Sequence, residues 1–168
     1  KRVNIEKLEQ SVEWACKHKI FTNGYFIIGF PVETKEDILD TIYFAKHSKL
    51  HTASFFMATP YKNTEFFNIV IRDYPERLQG VEDRDFDFTY SSVNLTEMDD
   101  KTLFSLRKKA YNDFYFKSPS RLIRIARDYP VHFGFWKYGR IFLNRVFRGS
   151  FTVSPHYPIA LDILAWKS

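Results

Sequence analysis

The sequence predicts an α/β fold, and three observations lead to it. Residues 25–28 (Tyr25, Phe26, Ile27, Ile28) and residues 52–58 are apolar runs of strand length. A helix with a clear start lies between them. The connection has the length of a βαβ unit, which joins parallel strands through a right-handed crossover. After residue 95 the apolar spacing becomes helical.

In chain order, Asn4 can cap a first helix running to about Lys17, with Ile5, Leu8, Val12 and Ala15 at helical spacing. Lys17, His18 and Lys19 sit at its end, where positive charge is favoured. Residues 25–28 are apolar at every position and read as a strand buried on both faces. Gly29, Phe30, Pro31, Val32 and Glu33 form a tight turn. Thr34 with Asp37 makes a capping box for a second helix, whose inner stripe is Ile38, Ile42 and Ala45. The second strand follows at 52–58, then a loop at 60–64. A short helix is expected near Phe66 to Ile71. Thr96 with Asp99 reads as another capping box, opening a long helix with Leu103, Leu106, Ala110 and Phe114 on one face. Ser118 and Pro119 cap and begin a helix through Leu122, Ile125 and Ala126, ending near Pro130. Residues 133–148 show a weaker amphipathic pattern.

The chain thus divides into βα units at 1–66, an irregular acidic connection at 67–95 and a helical extension at 96–168. Two parallel strands alone leave both sheet edges open. The sheet is therefore expected to continue in further sequence or in a partner.

Composition excludes several classes. With 168 residues, 45% hydrophobic and 27% charged, the chain can build a core and is no disordered tail or collagen-like rod. No apolar run approaches a membrane span and no signal peptide is evident, so a cytoplasmic location is expected. The lone Cys16 excludes internal disulfides and any multi-cysteine metal site within the chain. Aromatic residues reach 18% and can fill a core or line a groove. The net charge of +5 is uneven: residues 107–148 carry +9, and residues 79–100 hold seven acidic side chains against Arg84. The basic part can meet the acidic part or an anionic partner, although a solvated surface is the simpler reading. No nucleic-acid partner is expected, and an ordinary packed helix is favoured over membrane-surface contact at 133–148.

Two loops are candidate sites. The turn from Gly29 to Thr34 follows a parallel strand and enters a helix, the position where parallel α/β folds bind ligands. Gly29 permits close approach, whereas Glu33 would repel a phosphate and so argues against a nucleotide-phosphate loop. Glu33 can bind hydroxyl or amino groups or hold the backbone N–H groups of the turn. Thr59, Pro60 and Tyr61 follow the second strand and form either an adjacent pocket wall or a proline-stopped strand end. His47 and His51 lack a third ligand for a metal, and no residue is assigned a catalytic role.

Residues 24–34 (GYFIIGFPVET), with Glu36, Asp37, Ile38 and the run at 41–46, resemble the fifth-strand region of radical S-adenosylmethionine (SAM) enzymes. The likeness is strongest to the subgroup with an N-terminal cobalamin-binding domain. Residues 53–61 (ASFFMATPY), with Thr64 and Glu65, resemble that family's sixth-strand pattern, and residues 95–121 resemble its post-barrel helices. Val32 stands where the family has glycine, and Lys62-Asn63 where it has proline-glycine. The C-x-x-x-C-x-x-C motif for a [4Fe–4S] cluster is absent.

The resemblance implies the C-terminal portion of a partial (β/α) radical SAM barrel followed by helices, with the cluster cysteines upstream in a missing N-terminal part of the same protein. It implies that Ile27, Gly29, Glu33, Thr59 and Pro60 contribute to the SAM adenosine pocket. The whole enzyme would act on a small-molecule or lipid-like substrate, and cobalamin belongs to the subgroup. This chain alone is expected to be inactive. Two alternatives stand beside this reading: a non-catalytic degenerate barrel module for protein interaction, and a small α/β protein binding an adenosine-type ligand.

Overall fold

The computed structural model describes residues 4–79 and 93–128. The order is α1 (Ile5–Lys17), β1 (Asn23–Ile28), α2 (Lys35–His47), β2 (Thr52–Met57), α3 (Glu65–Asp73), α4 (Asp100–Tyr111) and α5 (Pro119–Asp128). A 3-10 turn at Pro75–Leu78 follows α3, and a π-helical turn at Asn112–Phe116 follows α4. The expected helix at 133–148, and most of the acidic segment, lie outside the described residues.

β1 and β2 pair in parallel, from Asn23 beside Thr52 to Ile28 beside Met57. Local chemistry sets the helix starts. Asn4 accepts from the Lys7 N–H, and Thr34 and Asp37 form the expected reciprocal capping box. The second expected box is not formed. Asp99, not Thr96, caps α4 by accepting the Thr102 N–H. Thr96 is drawn into a turn with Asn94, whose side-chain oxygen accepts both its N–H and its hydroxyl.

One face of the sheet carries the core. Ile28, Ala53, Phe55 and Met57 pack against Ile38, Ile42 and Ala45 of α2, and against Leu103, Leu106, Ala110 and Phe114. A smaller cluster joins Ala58, Val70, Val93 and Leu95 beneath α3, flanked by Phe30 and Phe66. β1 is not buried on both faces as expected: Tyr25 and Ile27 project from the opposite, open face. The apolar stripe of α1 is likewise largely uncovered, and no residue of that helix is buried. On α5 the buried positions are Arg121 and Asp128, while Leu122 and Ile123 are exposed.

The expectation of two open sheet edges is corrected at β2. The Tyr115 hydroxyl accepts from the Ala53 N–H at 2.9 Å and donates to the Ala53 carbonyl at 2.8 Å. The Tyr111 hydroxyl accepts from the Phe55 N–H at 3.2 Å, and Arg107 Nε donates to the Phe55 carbonyl at 3.0 Å. Three side chains spaced four apart thus take the place of a neighbouring strand. Residues four apart share one face of a helix, and Tyr115 falls within the π turn that continues α4. Among the described residues β1 pairs only with β2, so its outer edge stays open.

At the opposite end of the sheet from the rim loops, His51 is fully buried. The Thr22 N–H donates to its Nδ1 at 3.1 Å, which leaves Nε2 to donate to Asp128 at 3.1 Å. Arg127, opposed by burial and aided by His51, holds the Asp128 carboxyl well below the usual carboxylate range. This network ties α5 to the base of the sheet.

Burial pushes the Tyr115 phenol well above the ordinary tyrosine range, so it stays protonated in the folded protein. The unfolded chain ionises at about pH 10, so the contribution is complete below that pH and is lost as pH rises past it. Tyr115→Phe is expected to cost about 1–3 kcal/mol by orphaning both Ala53 groups. The gap between wild type and variant should narrow above about pH 10. Urea unfolding at pH 7 and under alkaline conditions measures both effects. A gap that widens with pH would contradict the burial of the phenol.

Candidate functional site

The turn after β1 is built by one carboxylate. Glu33 Oε2 accepts the N–H groups of Gly29 at 2.5 Å and Phe30 at 2.9 Å, and the Glu33 N–H donates to the Phe30 carbonyl at 3.0 Å. Gly29 has φ +89°, a conformation that favours glycine. A Cβ there would come within 3.3 Å of the Met57 methyl group and contact Leu103, so that side of Gly29 faces the core. The turn directs Phe30 sideways, where its ring meets Phe66 of α3 edge-on at 5.4 Å.

The strand ends, this turn and the start of α3 border an open cavity of about 340 Å³. Its walls include Ile27, Phe30, Phe56, Thr59, Tyr61 and Phe66. It lies at the C-terminal ends of two parallel strands, where α/β proteins bind ligands. Among the described residues no charged side chain lines it. The Thr59 hydroxyl donates back to the Met57 carbonyl at 3.2 Å.

Of the residues expected at a site, Ile27 and Thr59 line the cavity. Gly29 and Glu33 shape the turn beside it, and Pro60 is buried beneath the following loop. Phe30, Phe56 and Phe66 belong to the walls but were not expected there. Phe56 stands in the apolar run of the second strand, whose residue types alone do not say which face each side chain takes, whereas Phe66 reaches the cavity from α3.

The two departures from the radical SAM pattern fall on tolerant backbone. Positive φ outside glycine occurs at Lys19 and Asn63 among the described residues, so Val32 stands in ordinary conformation. Asn63, with φ 66°, adopts the left-handed geometry that asparagine accepts more readily than most residues. Among the described residues no group of three or more His, Cys, Asp or Glu side chains could hold a metal ion. None of the described helices is long and apolar enough to cross a membrane.

The fold and site define an α/β chain with an apolar cavity at the rim of a parallel strand pair. The chain is 31% identical over 153 residues, 91% of its length, to a protein of Pyrococcus horikoshii described as an uncharacterized methyltransferase. It spans about a third (31%) of that curated relative. No protein-family model matches the chain. No solved structure matches it either.

Proposed function

We propose that the chain is the C-terminal part of a radical SAM enzyme and that the rim cavity takes the adenosine of S-adenosylmethionine. The observation behind this reading is the apolar cavity at the ends of β1 and β2, walled by Ile27 and Thr59 from the two strand motifs that resemble that family. The methyltransferase relative adds support, because SAM is the common methyl donor of such enzymes. The sealed edge of β2 suits a last strand, and the open edge of β1 suits pairing with a preceding one.

SAM fits the residues present. Ile27, Phe30 and Phe56 offer apolar surface to a flat base, and Thr59 and Tyr61 add hydroxyls at the margin. A [4Fe–4S] cluster does not fit this chain, since Cys16 is its one cysteine. The cluster ligands, and any cobalamin site, would belong to a preceding part of the same protein. A cluster-bound SAM supplies a 5′-deoxyadenosyl radical. The part of this chain is to hold the nucleoside against Ile27, keep the turn rigid through Glu33 and exclude water with its phenylalanine walls.

The full-length protein, reconstituted anaerobically with its cluster and supplied with dithionite as electron donor, is expected to cleave SAM reductively to methionine and a 5′-deoxyadenosyl radical, recovered as 5′-deoxyadenosine after hydrogen abstraction from substrate or solvent components. Ile27→Glu should weaken SAM binding at least about tenfold by placing a charge in an apolar wall. Formation of S-adenosylhomocysteine without 5′-deoxyadenosine would replace the radical reading with ordinary methyl transfer. Unchanged SAM affinity in Ile27→Glu would move the cofactor out of this cavity.

A further inference from the structure

The outer edge of β2 is closed by side chains of one continuous helical stretch. Arg121 donates to the Ser48 carbonyl at 3.1 Å, and Arg124 to the Leu50 carbonyl at 3.3 Å, just ahead of the strand. Tyr115 takes both backbone groups of Ala53. Tyr111 and Arg107 take the N–H and the carbonyl of Phe55. At the strand end the Thr59 hydroxyl takes the Met57 carbonyl. From Arg107 through Tyr111 and Tyr115 to Arg121, the row runs antiparallel to the chain it covers, as a strand would.

Packing alone does not require these residue types. Ala53 and Phe55 are buried, and an apolar side chain facing them would bury similar surface. A hydroxyl or guanidinium taken out of water costs free energy unless it is bonded. What the polar side chains add is occupation of the strand's own donors and acceptors. Ala53 and Phe55 are two positions apart and turn two N–H groups and two carbonyls to the same edge. A second β2, antiparallel about a two-fold axis at Ser54, would set Ala53 beside Phe55 of the other copy and Phe55 beside its Ala53. Residue pairs of that kind exchange both bonds, so all four groups would be satisfied in one register. The strand is six residues long, uncharged and mostly apolar, TASFFM, a composition that pairs with like strands when its edge is free.

We propose that β2 carries a latent self-pairing edge and that Arg107, Tyr111 and Tyr115 block it. The partner they exclude is β2 of a second copy of this chain. The inference is independent of what occupies the rim cavity.

The test compares full-length wild type with Tyr111→Phe/Tyr115→Phe, which keeps both rings and removes both hydroxyls. β1 is the same in the two proteins, so a difference between them reports on β2. In sedimentation over a range of concentrations, the double variant is expected to associate where wild type does not. A labelled peptide of residues 52–57, flanked by lysines for solubility, probes the edge directly. It should bind the double variant at least about tenfold more tightly than wild type. The same peptide N-methylated at the positions of Ala53 and Phe55 should bind neither protein, because it lacks the two pairing N–H groups. Ile42→Ala opens a hole in the core on α2 and lowers stability without touching this edge, so it should neither associate nor bind the peptide. Tyr115→Phe alone frees Ala53, should also bind the peptide more tightly than wild type, and carries the test if the double variant does not fold. The proposal is overturned if the folded double variant fails to associate or binds the peptide no better than wild type. It is also overturned if the N-methylated peptide binds equally well, or if Ile42→Ala behaves like the double variant.

Discussion

Arg121→Ala is expected to cost about 3 kcal/mol or more of folding stability. Arg121 is 1% exposed and lies under the C-terminal end of α2. Its Nη2 donates to the carbonyls of Lys46 at 2.6 Å, Ser48 at 3.1 Å and Ala45 at 3.4 Å. These are the acceptors a helix leaves unsatisfied at its negative end. The guanidinium carbon sits 3.4 Å from the centroid of the Phe114 ring. Burial pushes the Arg121 pKa down to about 10, so the group remains charged at neutral pH. Alanine would take this donor from the Lys46 and Ser48 carbonyls, while Ala45 keeps the Ser48 hydroxyl at 2.7 Å, and would leave a hole beside Phe114. Lysine should recover little, because one ammonium cannot lie flat on the ring and also serve these acceptors. Phe114 adjoins Tyr115 in the same π turn, so the edge of β2 should loosen as well. Urea unfolding of wild type, Arg121→Ala and Arg121→Lys measures this. A loss below about 1 kcal/mol would show that water replaces the guanidinium at little cost.

Glu33→Ala should have the next largest effect, and on binding more than on stability. Two backbone N–H groups lose a charged acceptor together, at about 1.5–3 kcal/mol for each such bond before relaxation. Gly29 and Phe30 would then lose their tether, and Phe30 with it its place in the cavity wall. The expected outcome is a lower melting temperature and at least about tenfold weaker binding of the cavity's ligand. Glu33→Gln retains an acceptor oxygen and should fall between. If Glu33→Ala weakens SAM binding while stability is unchanged, the carboxylate touches the ligand rather than the turn. If neither quantity moves, the turn is held by its φ angles alone.

Much of the first half of the fold was legible because its signals are local. Asn4 and Thr34 each cap a helix through bonds to residues three positions on. The stripe of Ile38, Ile42 and Ala45 needs only helical spacing to define a buried face. The Gly29–Glu33 turn was recognisable from residue types, and Glu33 holds its N–H groups as one of the two readings required. Thr96 misled because a capping-box pattern is short, and Asn94 competes for the same groups. The apolar run of β1 misled because periodicity reports which side chains are apolar. It does not report whether anything covers them.

The sequence by itself determined the starts of α1 and α2, the two parallel strands, the glycine turn and the impossibility of a cysteine-ligated cluster within this chain. Only the tertiary structure decided that β2 ends the sheet, since Arg107, Tyr111 and Tyr115 reach its backbone from about fifty to sixty positions away. It also decided that Arg121 serves α2 and not its own helix, and that Phe30 and Phe66 close one cavity with Ile27. The physical reason is common to all three. Helix propensity and capping act over a few residues, whereas backbone satisfaction and cavity walls depend on which distant side chains the fold brings within a few ångströms.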